Sequence, residues 1–138
     1  MGPRVIIVDE NIQDAIVIRS IASWYPGQVI SITALRLQTL IKDDGIATLL
    51  HQANNPTFVT TNVDDFWQQF RANQRYCIIG IVLTIEQTYQ VPDLLRNLLR
   101  LPQFQTKASR MGKVVRLRPS SLEYYSFDRQ IHRLPWPA

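Results

Sequence analysis

The chain has 138 residues, of which 46% are hydrophobic, and these values are typical of one globular domain with a substantial core. The single cysteine, Cys77, excludes an internal disulfide, and its apolar neighbours in YCIIGIVL favour a buried thiol in a reducing cytoplasm. The chain shows no basic and apolar leader and no run of about 18 apolar residues, so we expect a cytoplasmic protein without a membrane span.

Charge is divided unevenly along the chain, whose net charge is +4. Residues 1–95 contain six Lys and Arg against nine Asp and Glu, whereas residues 96–138 contain nine against two. An acidic first part and a basic second part suit a polyanion bound along one surface, with cations held elsewhere. Arginines that only keep the surface soluble would give the same composition.

The first part of the chain alternates short apolar runs with helical patterns, and Pro26-Gly27 and Asn54-Asn55-Pro56 mark stops between them. The spacing of apolar residues separates strands from helices. The predicted elements are a strand at 4–8, a helix from Asn11 to about Trp24, a strand at 28–33, a helix from Asp43 or Asp44 to Ala53, and a strand at 57–61.

The second part begins with the longest apolar run and ends in basic strands. YCIIGIVLT at 76–84 predicts the fourth strand, and Pro92 sits in the first turn of a helix with a leucine stripe at 94, 95, 98 and 99. GKVVRLR and SLEYYSF predict two strands that can form a hairpin, with Arg116 and Arg118 on one face. The closing HRLPWPA is too rich in proline for regular structure. We therefore expect one domain over 1–138, with an α/β core at 1–104 and a basic C-terminal extension at 105–138.

Strands that alternate with helices predict a three-layer α/β/α sandwich around a mostly parallel sheet, with the basic strand pair added to it. In such sheets, functional groups gather just beyond the carboxyl ends of the strands. The acidic and amide residues expected at this edge are Asp9 after the first strand, Asn62, Asp64 and Asp65 after the third, and Asp43 and Asp44 at a helix start.

Clustered carboxylates repel one another, so a cation must neutralise them or some must stay protonated. The two histidines, His51 and His132, do not form a ligand-spaced pair, and oxygen ligands alone favour Mg²⁺ or Mn²⁺ over zinc. Each acid also has an ordinary interpretation. One of Asp43 and Asp44 can cap its helix, Asp64 can start a helical turn, and Glu10 can be a solvated side chain.

Three motifs resemble the PIN-domain ribonuclease superfamily, especially the short VapC-like proteins of prokaryotic toxin–antitoxin modules. The first is IIVDEN at 6–11, an apolar strand that ends in Asp-Glu-Asn. The second is a helix-start acid, Asp43, followed by apolar residues three, four and seven positions later. The third is TTNVDDF at 60–66, a strand that ends in Thr and continues to Asp-Phe.

The resemblance implies a Mg²⁺- or Mn²⁺-dependent endoribonuclease, the toxin of a toxin–antitoxin module. It makes Asp9 the central metal ligand and acid of the site. The other implied ligands and catalytic acids are Asp43 or Asp44, Asp65, Asp64 and Asn62, and the implied surrounding groups are Thr60, Glu10 and Asn11.

RNA is the expected substrate, with its phosphates on cations of the basic part of the chain. The candidates are Arg110, Lys113, Arg116 and Arg118. Tyr124 and Tyr125 can stack on bases, although burial in the core explains them more simply. An acidic antitoxin segment or a second subunit, giving a homodimer, could use the same face.

Two other functions fit parts of the pattern. A PIN-like fold without catalysis would serve as a binding module. A receiver domain with a phosphoacceptor Asp also begins with an acidic strand end, but it needs an Asp at the end of strand three and a Lys at the end of strand five. Thr84 could supply its strand-four hydroxyl, whereas Lys107 precedes a loop.

Overall fold

The computed structural model describes residues 5–9, 15–31, 55–61, 67 and 71–136. Within these ranges the chain forms strands, α-helices and one 3-10 helix. In chain order they are β1 Val5–Val8, α1 Ala15–Trp24, β2 Gln28–Ser31, β3 Thr57–Thr60, β4 Cys77–Ile81, the 3-10 helix Ile85–Gln90, α2 Val91–Leu98, α3 Lys107–Arg110, β5 Val114–Arg118, β6 Ser121–Tyr125 and β7 His132–Leu134.

All these strands join one sheet in the order β2-β1-β3-β4-β5-β6-β7. The first five strands are parallel to their neighbours, and β6 and β7 are added antiparallel. The prediction of an α/β fold with a mostly parallel sheet is therefore confirmed. The basic strand pair is a hairpin, as predicted, and it continues the same sheet because β5 pairs with β4.

Several predicted elements are shorter than expected or lie elsewhere. The fourth strand ends at Ile81, and Thr84 instead precedes the 3-10 helix. The prediction that HRLPWPA lacks regular structure was wrong, because His132–Leu134 pairs with β6 as an edge strand and Pro135 follows it. Proline is tolerated there because it lies beyond the paired residues. The predicted helix from Asp43 or Asp44 to Ala53 lies outside the described residues.

Alternation along the strands places apolar side chains on both faces of the sheet. One face, called here the helix face, is covered by α1 through Val17 and Ile21 and by α2 through Leu95 and Leu98. The opposite face carries a second cluster of Ile7, Phe58, Trp67, Tyr76, Ile78, Val114 and Tyr125. Two apolar faces leave the ends of the parallel strands as the place where polar groups can concentrate.

Cys77, the first residue of β4, lies in the core of the helix face and is fully buried, as the sequence predicted. Burial raises the pKa of its thiol to about 12, so the thiolate is not formed near neutral pH. Within the described ranges, no helix is both long and apolar enough to cross a bilayer.

Replacing Ile79 with Ala tests the packing of the sheet. Ile79 is fully buried in β4, with a neighbouring strand on each side, so its truncation leaves a cavity. We expect a loss of about 2–5 kcal/mol in the free energy of unfolding, measured by urea denaturation. The control, Ile16→Ala on α1, removes a side chain that is 68% exposed and should change stability by less than about 0.5 kcal/mol. Equal losses in the two variants would contradict the central position of β4.

Candidate functional site

Asp9 lies directly after β1 and is held against β3. Its backbone N–H donates to the carbonyl of Val59 at 2.8 Å, and its carboxylate accepts a hydrogen bond from the Thr60 hydroxyl at 2.6 Å. Asp9 is 6% exposed and Thr60 is 3% exposed. The structure thus joins two residues that the sequence predicted for the site, and the short bond fixes the orientation of the carboxylate.

These two residues occupy the point where the chain reverses its direction across the sheet. The connection after β1 leads to β2 on one side, whereas the connection after β3 leads to β4 on the other side. In open α/β sheets, such a switch point leaves a crevice beyond the carboxyl ends of the two strands, where ligands bind. Asp9 and Thr60 therefore lie where this architecture most often places a functional site.

The same level of the sheet carries polar residues across the neighbouring strands. Register pairs Thr60 with Gly80 and Gly80 with Arg116, and the hairpin pairs Arg116 with Glu123 and Glu123 with Arg133. Strand alternation places their side chains opposite the helix face, because the residues before Thr60 and Arg116 belong to the core of the helix face. We call this set the polar row: Asp9, Thr60, Arg116, Glu123 and Arg133, with Gly80 between Thr60 and Arg116.

Arg116 is the best-anchored cation of the polar row. Its guanidinium donates to Glu123 at 2.7 Å and lies 4.8 Å from the centre of the Trp67 ring. Glu123 also accepts from Arg133 at 3.3 Å, so two guanidinium groups share one carboxylate. This end of the row keeps an excess of positive charge, and the Asp9 end carries a negative charge.

The oxygen atoms of Asp9 and Thr60 are of the type that a hard divalent cation prefers as ligands. A carboxylate held by a hydroxyl presents oxygen atoms, the ligands that Mg²⁺ and Mn²⁺ prefer. Among the residues that the structure describes, no three His, Cys, Asp or Glu side chains come together as a metal site. The remaining predicted site residues all lie outside the described ranges: Glu10, Asn11, Asp43, Asp44, Asn62, Asp64 and Asp65. Their convergence on Asp9 stays a prediction.

The four cations predicted to bind RNA do not share one surface. Arg116 and Arg118 alternate with the buried Val115 and Leu117, as predicted, and Arg118 ends β5. Arg110 instead is 3% exposed, and its guanidinium donates to buried groups on the helix face. The short helix α3 turns the Arg110 side chain inward, away from Arg116 and Arg118, so its contact with RNA stays a prediction.

Lys113 also differs from the expectation of an exposed cation. Its ammonium donates to the carbonyl oxygens of Gln103 and Ser109 and lies over the rings of Phe104 and Tyr124. Partial burial lowers its pKa from the ordinary value. Through these hydrogen bonds Lys113 holds the segment before β5 against the helix face, and its ammonium group lies on the opposite side of the sheet from the polar row.

The tyrosines of β6 are mainly structural. Tyr125 is buried and donates its hydroxyl to the carbonyl of Trp67 at 2.8 Å. Tyr124 is half-buried, stacks on His132 and meets Phe104 edge to face. The simpler interpretation, burial in the core, is confirmed for Tyr125.

Arg116 is surrounded by Glu123, Arg133 and Trp67, none of which was predicted as a site residue from the sequence. Glu123 could have been predicted from the hairpin. A two-residue turn at Pro119-Ser120 pairs Arg118 with Ser121, and this register pairs Arg116 with Glu123. No comparable signal identifies Trp67, whose contact with Arg116 joins residues far apart in sequence.

Comparison with known proteins gives no relative for this chain: no family model matches it, and neither does any curated protein or solved structure.

Thr60→Val tests the bond that orients Asp9. Valine keeps the shape of threonine but removes the hydroxyl that donates to the buried carboxylate. We expect a loss of about 1–3 kcal/mol in the free energy of unfolding at pH 7, because a buried acceptor loses a donor. Thr60→Ser, which keeps the hydroxyl, is the control and should lose less. A valine variant as stable as the wild type would show that the bond does not contribute.

The pH dependence of stability in the variant Glu123→Gln tests the ion pairs of the polar row. Burial acts to raise the pKa of Glu123, but the hydrogen bond from Arg116 and the charges of Arg116 and Arg133 outweigh it, so the pKa lies below the ordinary 4.5. The ionised carboxylate therefore adds stability above pH 4.5, and this contribution is lost as pH falls through the lower folded value.

The expected result is a stability difference between wild type and Glu123→Gln that is largest near neutral pH and shrinks below pH 4.5. Urea denaturation at a series of pH values measures it. Glu86→Gln, at an exposed position of the 3-10 helix, is the matched control and should show a smaller pH-dependent difference. A constant difference for Glu123→Gln would contradict the ion-paired arrangement.

Proposed function

We propose that this chain is a metal-dependent endoribonuclease of PIN-like type. The observation that carries the proposal is Asp9, a buried carboxylate held by Thr60 at the switch point of a parallel sheet. The motifs IIVDEN and TTNVDDF supply both residues and support the same assignment. The proposal includes a cytoplasmic location and a role as the toxin of a toxin–antitoxin module, with the antitoxin as protein partner.

In this proposal Asp9 is the central ligand of Mg²⁺ or Mn²⁺, and Asp65, Asp43 or Asp44, Asp64 and Asn62 complete the oxygen donors. A cation bound there would lower the pKa of a water molecule and offset the charge that develops on the attacked phosphate. Thr60 keeps one Asp9 oxygen engaged and thereby directs the carboxylate. The buried setting excludes bulk water and strengthens each electrostatic contact made to the substrate.

The polar row suggests how RNA would lie. Asp9 follows β1 and Arg116 lies in β5, three strand spacings away, so their backbones are about 14 Å apart. Arg118 is two residues closer than Arg116 to the carboxyl edge. A strand cut near Asp9 would therefore place flanking phosphates against Arg118 and the positive end of the row.

The receiver-domain alternative shares the strand order β2-β1-β3-β4-β5 with this sheet, but the strand ends do not supply the groups that it needs. Its phosphoacceptor would have to end β3, which closes with Thr60, and its lysine would have to end β5, which closes with Arg118. Hydroxyl and guanidinium groups do not replace the carboxylate and ammonium that this function needs.

The test compares wild type with Asp9→Asn in metal-dependent stability and RNA cleavage. A cation that binds only the folded site stabilises by mass action, about 2.7 kcal/mol at 100 times its Kd. We expect millimolar Mn²⁺ to raise the Tm of the wild type and to support cleavage of total RNA. Asp9→Asn should fold, and it should lose both effects.

Asp93→Asn, the same substitution at an exposed position of α2, is the control and should behave as the wild type. A wild-type Tm indifferent to Mn²⁺, with no cleavage, would reject the nuclease. Salt-dependent RNA binding without cleavage would instead favour a binding module, and Arg118→Ala should then lower the salt dependence.

A further inference from the structure

A basic pocket opens at the amino-terminal edge of the parallel strands, at the opposite end of β3 from Asp9. It has a volume of about 260 Å³ and lies between the end of α1, the helix α2 and the short helix α3. Its cationic and aromatic lining consists of Arg96, Arg100, Lys107, Arg110, Trp24 and Tyr25. We call this feature the basic pocket.

The charged side chains among the described residues that line the basic pocket are all positive. Four cations contribute to its lining, and none of the described residues that line it is an Asp or a Glu. Asp93, the acid of α2, is exposed in the first turn of that helix and lies outside the lining. Cations that converge on a concave surface raise the local concentration of anions.

Arg110 forms the floor of the basic pocket and is the decisive residue. It is 3% exposed, and its Nε donates to the Thr57 hydroxyl at 2.7 Å. Its Nη2 donates to the Tyr25 hydroxyl at 2.9 Å, and its Nη1 donates to backbone carbonyl oxygens. All these acceptors are neutral, so within the described part of the chain no carboxylate compensates this buried charge.

A buried guanidinium without a carboxylate is costly, because neutral acceptors replace its hydrogen bonds to water but not the missing counter-charge. These four hydrogen bonds also use four of its five N–H groups. An anion in the basic pocket would supply the counter-charge. Arg96 and Arg100, both exposed on the α2 side of the pocket, would close on the anion from the other side.

We propose that the basic pocket binds a phosphate group, either free or carried by a small molecule such as a mononucleotide. Phosphate matches cations on several elements because it can carry two charges and has oxygens in a tetrahedral arrangement. Arg96 lies over the Trp24 ring, 6.0 Å from its centre, so a cation and an aromatic ring form this wall of the pocket together. The volume suits a ligand of this size better than a polymer.

The basic pocket is separate from the site at Asp9. Arg110 is bonded to Thr57, the first residue of β3, whereas Asp9 is bonded to Thr60, the last. Thr57 pairs with Ile6 on the helix face, and Asp9 belongs to the opposite face. The inference therefore does not rest on the proposed nuclease.

The test measures Tm and calorimetric binding for the full chain in chloride buffer at constant ionic strength. The probes are inorganic phosphate, AMP, adenosine and acetate. We expect phosphate and AMP to bind and raise Tm, and adenosine and acetate to do neither. Equal affinity for phosphate and AMP would assign the basic pocket to the free anion, and tighter AMP binding would assign it to a nucleotide.

The variant is Arg96→Gln with Arg100→Gln, which removes two exposed cations and spares the core. We expect its phosphate or AMP affinity to fall at least about tenfold, because charge-assisted hydrogen bonds are lost. Arg19→Gln with Arg71→Gln removes the same charge from exposed positions outside the basic pocket and should retain affinity. Asp9→Asn should also retain it, which separates this result from the nuclease test.

Three results would overturn the proposal. One is no response of the wild type to phosphate and AMP. Another is binding of adenosine or acetate as tight as that of AMP. The last is an equal loss in the control pair Arg19→Gln with Arg71→Gln, which would mean that only the net charge of the protein matters.

Discussion

Parallel pairing of β1 with β3 is the constraint on which the rest of the structure depends. Both strands are buried on both faces, so neither can place a polar side chain within its length without cost. Polar groups are therefore displaced to the strand ends. Asp9 and Thr60 satisfy each other at the carboxyl end, and Thr57 accepts from Arg110 at the amino end.

In the part of the chain that the structure describes, three charged side chains are buried, and each is accommodated in a different way. Glu123 is neutralised by two guanidinium groups, the usual solution for a buried carboxylate. Asp9 is held by a hydroxyl at a strand end, and Arg110 is held by hydroxyls and carbonyls. The first arrangement consists of ion pairs across the hairpin that stabilise it. Arg110 lies at the floor of a concave surface, the basic pocket, and Asp9 lies at the switch point of the sheet, the position where open α/β sheets most often bind a ligand.

The order of elements and the sheet could be predicted from sequence because burial dictates local patterns. The run CIIGI has no polar residue and is short and rich in isoleucine, which favours a strand with both faces covered, and Asp9 after VIIV is placed by the same logic. The face of the sheet on which each arginine side chain lies could not always be predicted in this way. Arg116 and Arg118 follow strand alternation, but Arg110 is on a four-residue helix whose orientation depends on contacts with Thr57 and Tyr25, far away in sequence. Long-range partners of this kind leave no periodic signal.

The uneven charge of the sequence has a structural counterpart that composition alone does not reveal. The cations of the basic second part lie on both faces of the sheet. Arg116 and Arg118 lie on the face opposite the helix face, towards the carboxyl ends of the parallel strands. Arg110 lies on the helix face, at their amino ends. One polyanion lying along one surface cannot engage both groups. In the two proposals made above, an extended anion would use the polar row and a compact anion would use the basic pocket, so each group of cations would have a ligand of its own.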